Sequence, residues 1–208
     1  MVVRNMDKII SLMITAVMTV TSCSFKGENP LDGKRIAFIG DSISYGTNWQ
    51  GGYGKLIGEQ YNMNVTNFSK GGATLADNVH WSENSDGYRP YITDMLDNLD
   101  GDYEYIIAEG GLNDFWGHSE LGEITDGFSG DFESYYERIK EVCDKWDVSY
   151  LDLYAKNNSD TGVNVRDDDM RKLYFGTESK PDGDGTHPNE LGYQAIYVEP
   201  MIPWLKSL

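Results

Sequence analysis

Cysteine is almost absent. The 208 residues hold two, Cys23 and Cys143, and only three histidines, His80, His118 and His187. None of them stands at a zinc-ligand spacing. A calcium loop is hinted at by Asp182-Gly183-Asp184-Gly185, but Tyr193 stands where an EF-hand places its bidentate glutamate. The expectation is therefore no metal and no cofactor. Positive charge is short as well: 17 Lys+Arg face 34 Asp+Glu, a net charge of −17. That lacks the basic footprint of a nucleic-acid binder or of a polybasic membrane surface. Long apolar runs are missing too. Ile9 to Val20 is 12 residues, too short for an ordinary membrane span. There is no repeat and no low-complexity tract.

What is present begins with that apolar run. Arg4 and Lys8 precede or open it, and Val20-Thr21-Ser22-Cys23 closes it. This is the layout of an export signal. The small residues before Cys23 resemble the lipobox of a bacterial lipoprotein. The resemblance implies removal of residues 1–22, a lipid on Cys23 and an extracytoplasmic, cell-envelope location. An ordinary secretory signal is the other reading. Residues 23–33 are polar, with Gly27, Pro30 and Gly33, and read as a tether. Residues 34–208 suffice for one domain. Cys143 falls on the apolar side of a helix-like stretch and reads as a core cysteine.

The pattern then alternates. Lys34 to Ile39, Met63 to Phe68, Tyr103 to Ala108 and Val148 to Tyr154 read as strands. Helical spacing marks Gly52 to Tyr61, a stretch opened by Pro90 with Ile92, Met95, Leu96 and Leu99 on its stripe, and Asp131 to Trp146. Asp167 to Asp169 reads as a solvated turn in a long polar segment. Asn189 to Leu208 reads as helical until Pro200 and Pro203 break it. Strand–helix alternation predicts an α/β fold with a parallel sheet and helices on both faces. In such sheets chemistry gathers past the C-terminal strand ends.

Ser42, Gly72 and Asn113 all fall just past such ends. Gly40-Asp41-Ser42, Gly72 after Asn67, Gly111-Leu112-Asn113-Asp114 and Asp184-Gly185-Thr186-His187-Pro188 follow in that order. Each block is short, but together they resemble the SGNH (GDSL-type) hydrolase family across residues 34–205. The resemblance implies Ser42 as nucleophile, His187 as general base and Asp184 as the acid that orients it. It implies an oxyanion hole from the Ser42 and Gly72 N–H groups and the Asn113 side-chain amide. It also implies a flavodoxin-like three-layer α/β/α sandwich. Family members usually have five strands. Only four are readable here, because one helix alone lies between the Asn113 block and Val148, so four strands are expected.

The chemistry agrees with the residue types. A serine hydroxyl needs a base held against it, imidazole titrates near neutrality, and a carboxylate can fix its tautomer. The Gly-x-Ser-x-Gly elbow is not met, since Ser44 follows two after Ser42. Trp49, Trp81, Trp116 and Tyr45 lie near the motif loops, either as pocket walls or as anchors on the core. The expected partner is a small-molecule or carbohydrate ester. The alternative is a non-catalytic carbohydrate- or ligand-binding lipoprotein that keeps a degenerate hydrolase fold.

Overall fold

Three parallel strands carry the molecule. The computed structural model describes residues 29–75, 90–116, 132–153, 163 and 167–208. Residues 1–28 with Cys23, and His80, Trp81, His118 and Asp131, lie outside the described residues. Residues Leu31–Leu208 form one compact unit. Strand β1 is Arg35–Ile39, followed by the short helix α1 (Ser42–Tyr45) and α2 (Gly52–Tyr61). Strand β2 is Asn64–Asn67, then come α3 (Ile92–Leu96), β3 (Tyr105–Ala108), α4 (Leu112–Trp116) and α5 (Phe132–Trp146). Helix α6 (Asp168–Phe175) precedes α7 (Glu190–Gly192), a π-helical turn (Tyr193–Val198) and α8 (Glu199–Leu205). The sheet order is β2-β1-β3. Ile36 aligns with Val65 on one side and with Tyr105 on the other.

β1 is central, and its sequence shows why. Its last four residues are at most 2% exposed, as a strand covered on both faces requires. Ile36 and Phe38 join α2 and the C-terminal helices in one cluster around Tyr53, Ile57, Tyr193, Met201 and Leu205. Ile39 packs with Ala73, Ile92 and Met95 in another. Alternation along the strand sends these sets to opposite faces. Gly54 is part of the fit: a Cβ there would lie 3.0 Å from the Phe38 ring.

The expected fourth strand does not form among the described residues. Asp147, at φ 53°, ends α5 in the left-handed region, and the chain then runs without ladder bonds. Val148 and Tyr150 are 54% and 40% exposed. β-branched and aromatic content favours a strand only when a neighbour supplies the ladder. Here a groove of about 720 Å³ separates residues 148–151 from the outer edge of β3.

Four smaller expectations are also corrected. Leu96 is 47% exposed, so the expected stripe loses Leu96 but keeps Ile92 and Met95, with Leu99 packed half-buried against them. Asp167 is not in a free turn: its side chain accepts the Met170 N–H and caps α6, the ordinary helix-start role of an aspartate. Pro200 and Pro203 do not break the C-terminal helix. Pro200 falls in the first turn of α8, directly after the π-helical turn, and Pro203 lies inside α8. The preceding π turn also widens the helix locally. Cys143 is free and half-buried rather than a core residue. No helix among the described residues is long and apolar enough to cross a membrane.

Candidate active site

The chain leaves β1 through Gly40 into a tight turn. Asp41 is fully buried and accepts the Ile43 N–H on Oδ1 at 2.8 Å, capping α1. Ser42 is therefore the first residue of a helix, where N–H groups face outward unused by the helix itself. The turn is locked from several sides. Ser44 donates its N–H to Glu109 at 3.2 Å and its hydroxyl to Ser69 at 2.8 Å. Asn67 donates to the Ser44 carbonyl, and the buried Tyr193 hydroxyl donates to the Ile43 carbonyl at 2.9 Å. Gly46 ends α1 at φ 89°, and a Cβ there would fall 2.2 Å from the Gly52 nitrogen.

His187 arrives from the other end of the sequence. Its Nε2 lies 2.9 Å from Ser42 Oγ, and its Nδ1 lies 2.8 Å from Asp184 Oδ2. Asp184 Oδ1 accepts the N–H groups of Thr186 and His187. Both side chains are about one-fifth exposed. Burial pushes the Asp184 carboxyl up, but the bonds from His187 and Thr186 outweigh it and hold the group below the usual range. A carboxylate anchored this way fixes the imidazole with its proton on Nδ1 and leaves Nε2 to accept from the serine.

The other named residues gather around Ser42 with different completeness. After β2, Lys70 donates its N–H to the Gly40 carbonyl at 2.9 Å. That brings the loop across Ser42, and a Cβ on Gly71 would sit 4.0 Å from the Ser42 Cβ. Gly72 holds φ 75°, which favours glycine. Asn113, on α4, is buried, and its amide nitrogen donates to the Ala73 carbonyl at 2.9 Å and to Asp41 Oδ2 at 3.3 Å. Asp114 braces this arrangement by accepting the Leu75 N–H at 3.0 Å.

Two carboxyls beneath the turn resist ionisation. Burial pushes Asp41 up to about 6, partly opposed by the Ile43 N–H bond and the nearby His187, with Asp114 adding to the rise. Burial, and then the charge of Asp41, raises Glu109 well above its ordinary value. Trp49 packs 6.3 Å from Tyr193 and carries Lys55 over its ring, so it anchors the loop. Tyr45 and Trp116 are about half exposed.

Two residues near the site were not singled out from sequence. Asn48 donates to the His187 carbonyl at 2.7 Å, and Glu109 supports the nucleophile turn. Asn48 gave no local signal. Glu109 had one, a lone acid ending an apolar strand directly before Gly110-Gly111. No cluster of three His, Cys, Asp or Glu able to hold a metal occurs among the described residues.

Comparison with known proteins adds the fold. No family model and no curated protein matches this chain. One crystal structure superposes with a TM-score of 0.59 at 20% identity, over 86% of this chain and 98% of the other. A second, a structural genomics target from Lactobacillus plantarum, does so with a TM-score of 0.59 at 17% identity, over 85% and 98%. At these identities the likeness concerns the backbone: the chain shares an α/β fold with both.

Proposed function

We propose that the chain is a serine esterase of the SGNH (GDSL-type) kind, built on a variant of the flavodoxin-like three-layer sandwich. One observation carries the reading: Ser42 Oγ, His187 Nε2 and Asp184 line up in hydrogen-bond contact although two of the three come from the far end of the chain. A hydroxyl, an imidazole and a carboxylate in that order perform acyl transfer. Ser42 Oγ attacks the ester carbonyl carbon while its proton passes to His187 Nε2. In this reading the Ser42 and Gly72 N–H groups and the Asn113 side-chain amide stabilise the resulting oxyanion. Collapse expels the alcohol, which takes the proton back from His187. Water repeats the sequence on the acyl-serine and frees the acid.

The proposed substrates are carboxylic esters, with O-acetyl groups on carbohydrate as the class suited to an exported enzyme. Export and a lipid anchor on Cys23 belong to the same proposal, and mass spectrometry of the mature N-terminus tests them. Activity is tested with a short-chain nitrophenyl ester and a fluorophosphonate probe. Wild type turns over the first and is labelled by the second, and Ser42→Ala does neither. Labelling that survives the substitution rejects the assignment. Absence of both activities in wild type favours the non-catalytic binding lipoprotein.

A further inference from the structure

Asn113 is held by two acceptors at once, and only one of its two flip states tolerates that. A carbonyl oxygen cannot donate, so the group 2.9 Å from the Ala73 carbonyl must be the amide nitrogen. The same nitrogen points its second N–H toward Asp41 Oδ2 at 3.3 Å. Rotating the amide by half a turn would set its oxygen against the Ala73 carbonyl and against a carboxylate. Asp41 and Ala73 are both fully buried, so no solvent relieves that clash.

We infer that Asp41 is a positioning residue for Asn113: its Oδ2, with the Ala73 carbonyl, fixes which end of the amide is the nitrogen. The inference rests on the esterase reading only for its kinetic consequence. In that reading the Asn113 amide nitrogen is an oxyanion donor, and its bond to Asp41, at 3.3 Å against 2.9 Å, is the longer of its two. Asp41 does this while its other oxygen caps α1. One carboxylate thus joins the turn that carries the hydroxyl to the helix that carries the amide.

Substitution by asparagine separates the two jobs. Asparagine is as good a cap as aspartate, so its oxygen keeps the Ile43 N–H. Its amide nitrogen then faces the Asn113 nitrogen, donor against donor. Asn113 must either lose that bond or flip and oppose Ala73. The groups facing Asp41 are the Ile43 N–H, Asn113, His187, Asp114 and Glu109.

The test is a double-mutant cycle on ester hydrolysis. Asn113→Ala is expected to lower kcat by roughly 10²–10³, the usual effect of losing one oxyanion donor. Asp41→Asn is expected to lower kcat into the same range with little change in KM, and to add less than about two-fold on top of Asn113→Ala. A kcat for Asp41→Asn near wild type, or losses that multiply, would overturn the inference. A measurement on the unaltered pair covers failure of that variant to fold. In ¹⁵N-labelled His187→Gln protein, the Asn113 side-chain amide peaks, identified by their loss with Asn113→Ala, should move as Asp41 titrates. Peaks that stay fixed through that range also overturn it. If wild type shows no Ser42-dependent turnover, the esterase reading fails, and the amide peaks alone still decide whether Asp41 holds Asn113.

Discussion

Asn48 and His187 lie 139 positions apart, yet the Asn48 side-chain amide donates to the His187 carbonyl at 2.7 Å. The loop that follows the nucleophile thus grips the backbone of the base while the reacting atoms meet beside it. Asn48→Ala removes the grip on His187 without deleting any reacting group. We expect kcat to fall by about ten-fold, because small displacements of a base already slow transfer strongly. Steady-state kinetics check this, and an unchanged kcat would show that the Asp184 contact alone holds the imidazole.

Asp184→Asn keeps the shape of the acid but not its charge. The imidazole loses the partner that fixes its tautomer, and kcat should drop by roughly 10²–10⁴. Fluorophosphonate labelling should slow in parallel. Full-rate labelling would mean that a different carboxyl serves His187.

Asp41 makes an unusual prediction for stability. Its native pKa is about 6 against an ordinary 3.8, so the folded chain keeps this proton longer than the unfolded chain does. Stability from this group is complete below about pH 4, falls as pH rises toward 6, and is level above. The span corresponds to ~3 kcal/mol. Glu109, also raised by burial, extends the decline upward. Asp184 has the opposite sign, and its contribution is lost only in stronger acid. Urea unfolding at pH 5 should therefore give a higher free energy than at pH 8. A rise over that range would contradict the upward shift of both acids.

Tyr193 is fully buried and its hydroxyl reaches the Ile43 carbonyl. Tyr193→Phe keeps the ring contacts with Tyr53 and Tyr197. The loss should be about 1 kcal/mol, the net worth of one buried hydrogen bond. Thermal unfolding reads it, and no change in Tm would mean that the Gly46 N–H satisfies that carbonyl alone.

Ser42 stood out by its position after a strand, whereas Asp184 and His187 were marked only by the resemblance of their block to a known family; the contact between the three is what the fold adds. α2 was legible from its spacing, with the same ends as observed, Gly52–Tyr61. The strand expected at Val148–Tyr154 was not, since a strand is a relationship with a neighbour and the outer edge of β3 stands across a groove. α6 was hidden by its own start: three consecutive aspartates look like solvent-facing charge until one of them is seen capping a helix. The prolines misled for a related reason, because their effect depends on which carbonyl each ring meets. Asn48, Glu109 and the Asp41–Asn113 bond join segments far apart in sequence, and periodicity says nothing of such contacts.

The nucleophile and its base are separated by 145 positions. A polypeptide cleaved anywhere between them yields two pieces, each with only half of the reacting pair. Under the proposed esterase reading, the hydroxyl made early in synthesis stays inert until the imidazole emerges and the C-terminal helices close on β1. Activity and completed folding would then switch on together, which makes ester turnover a direct clock for refolding in that reading.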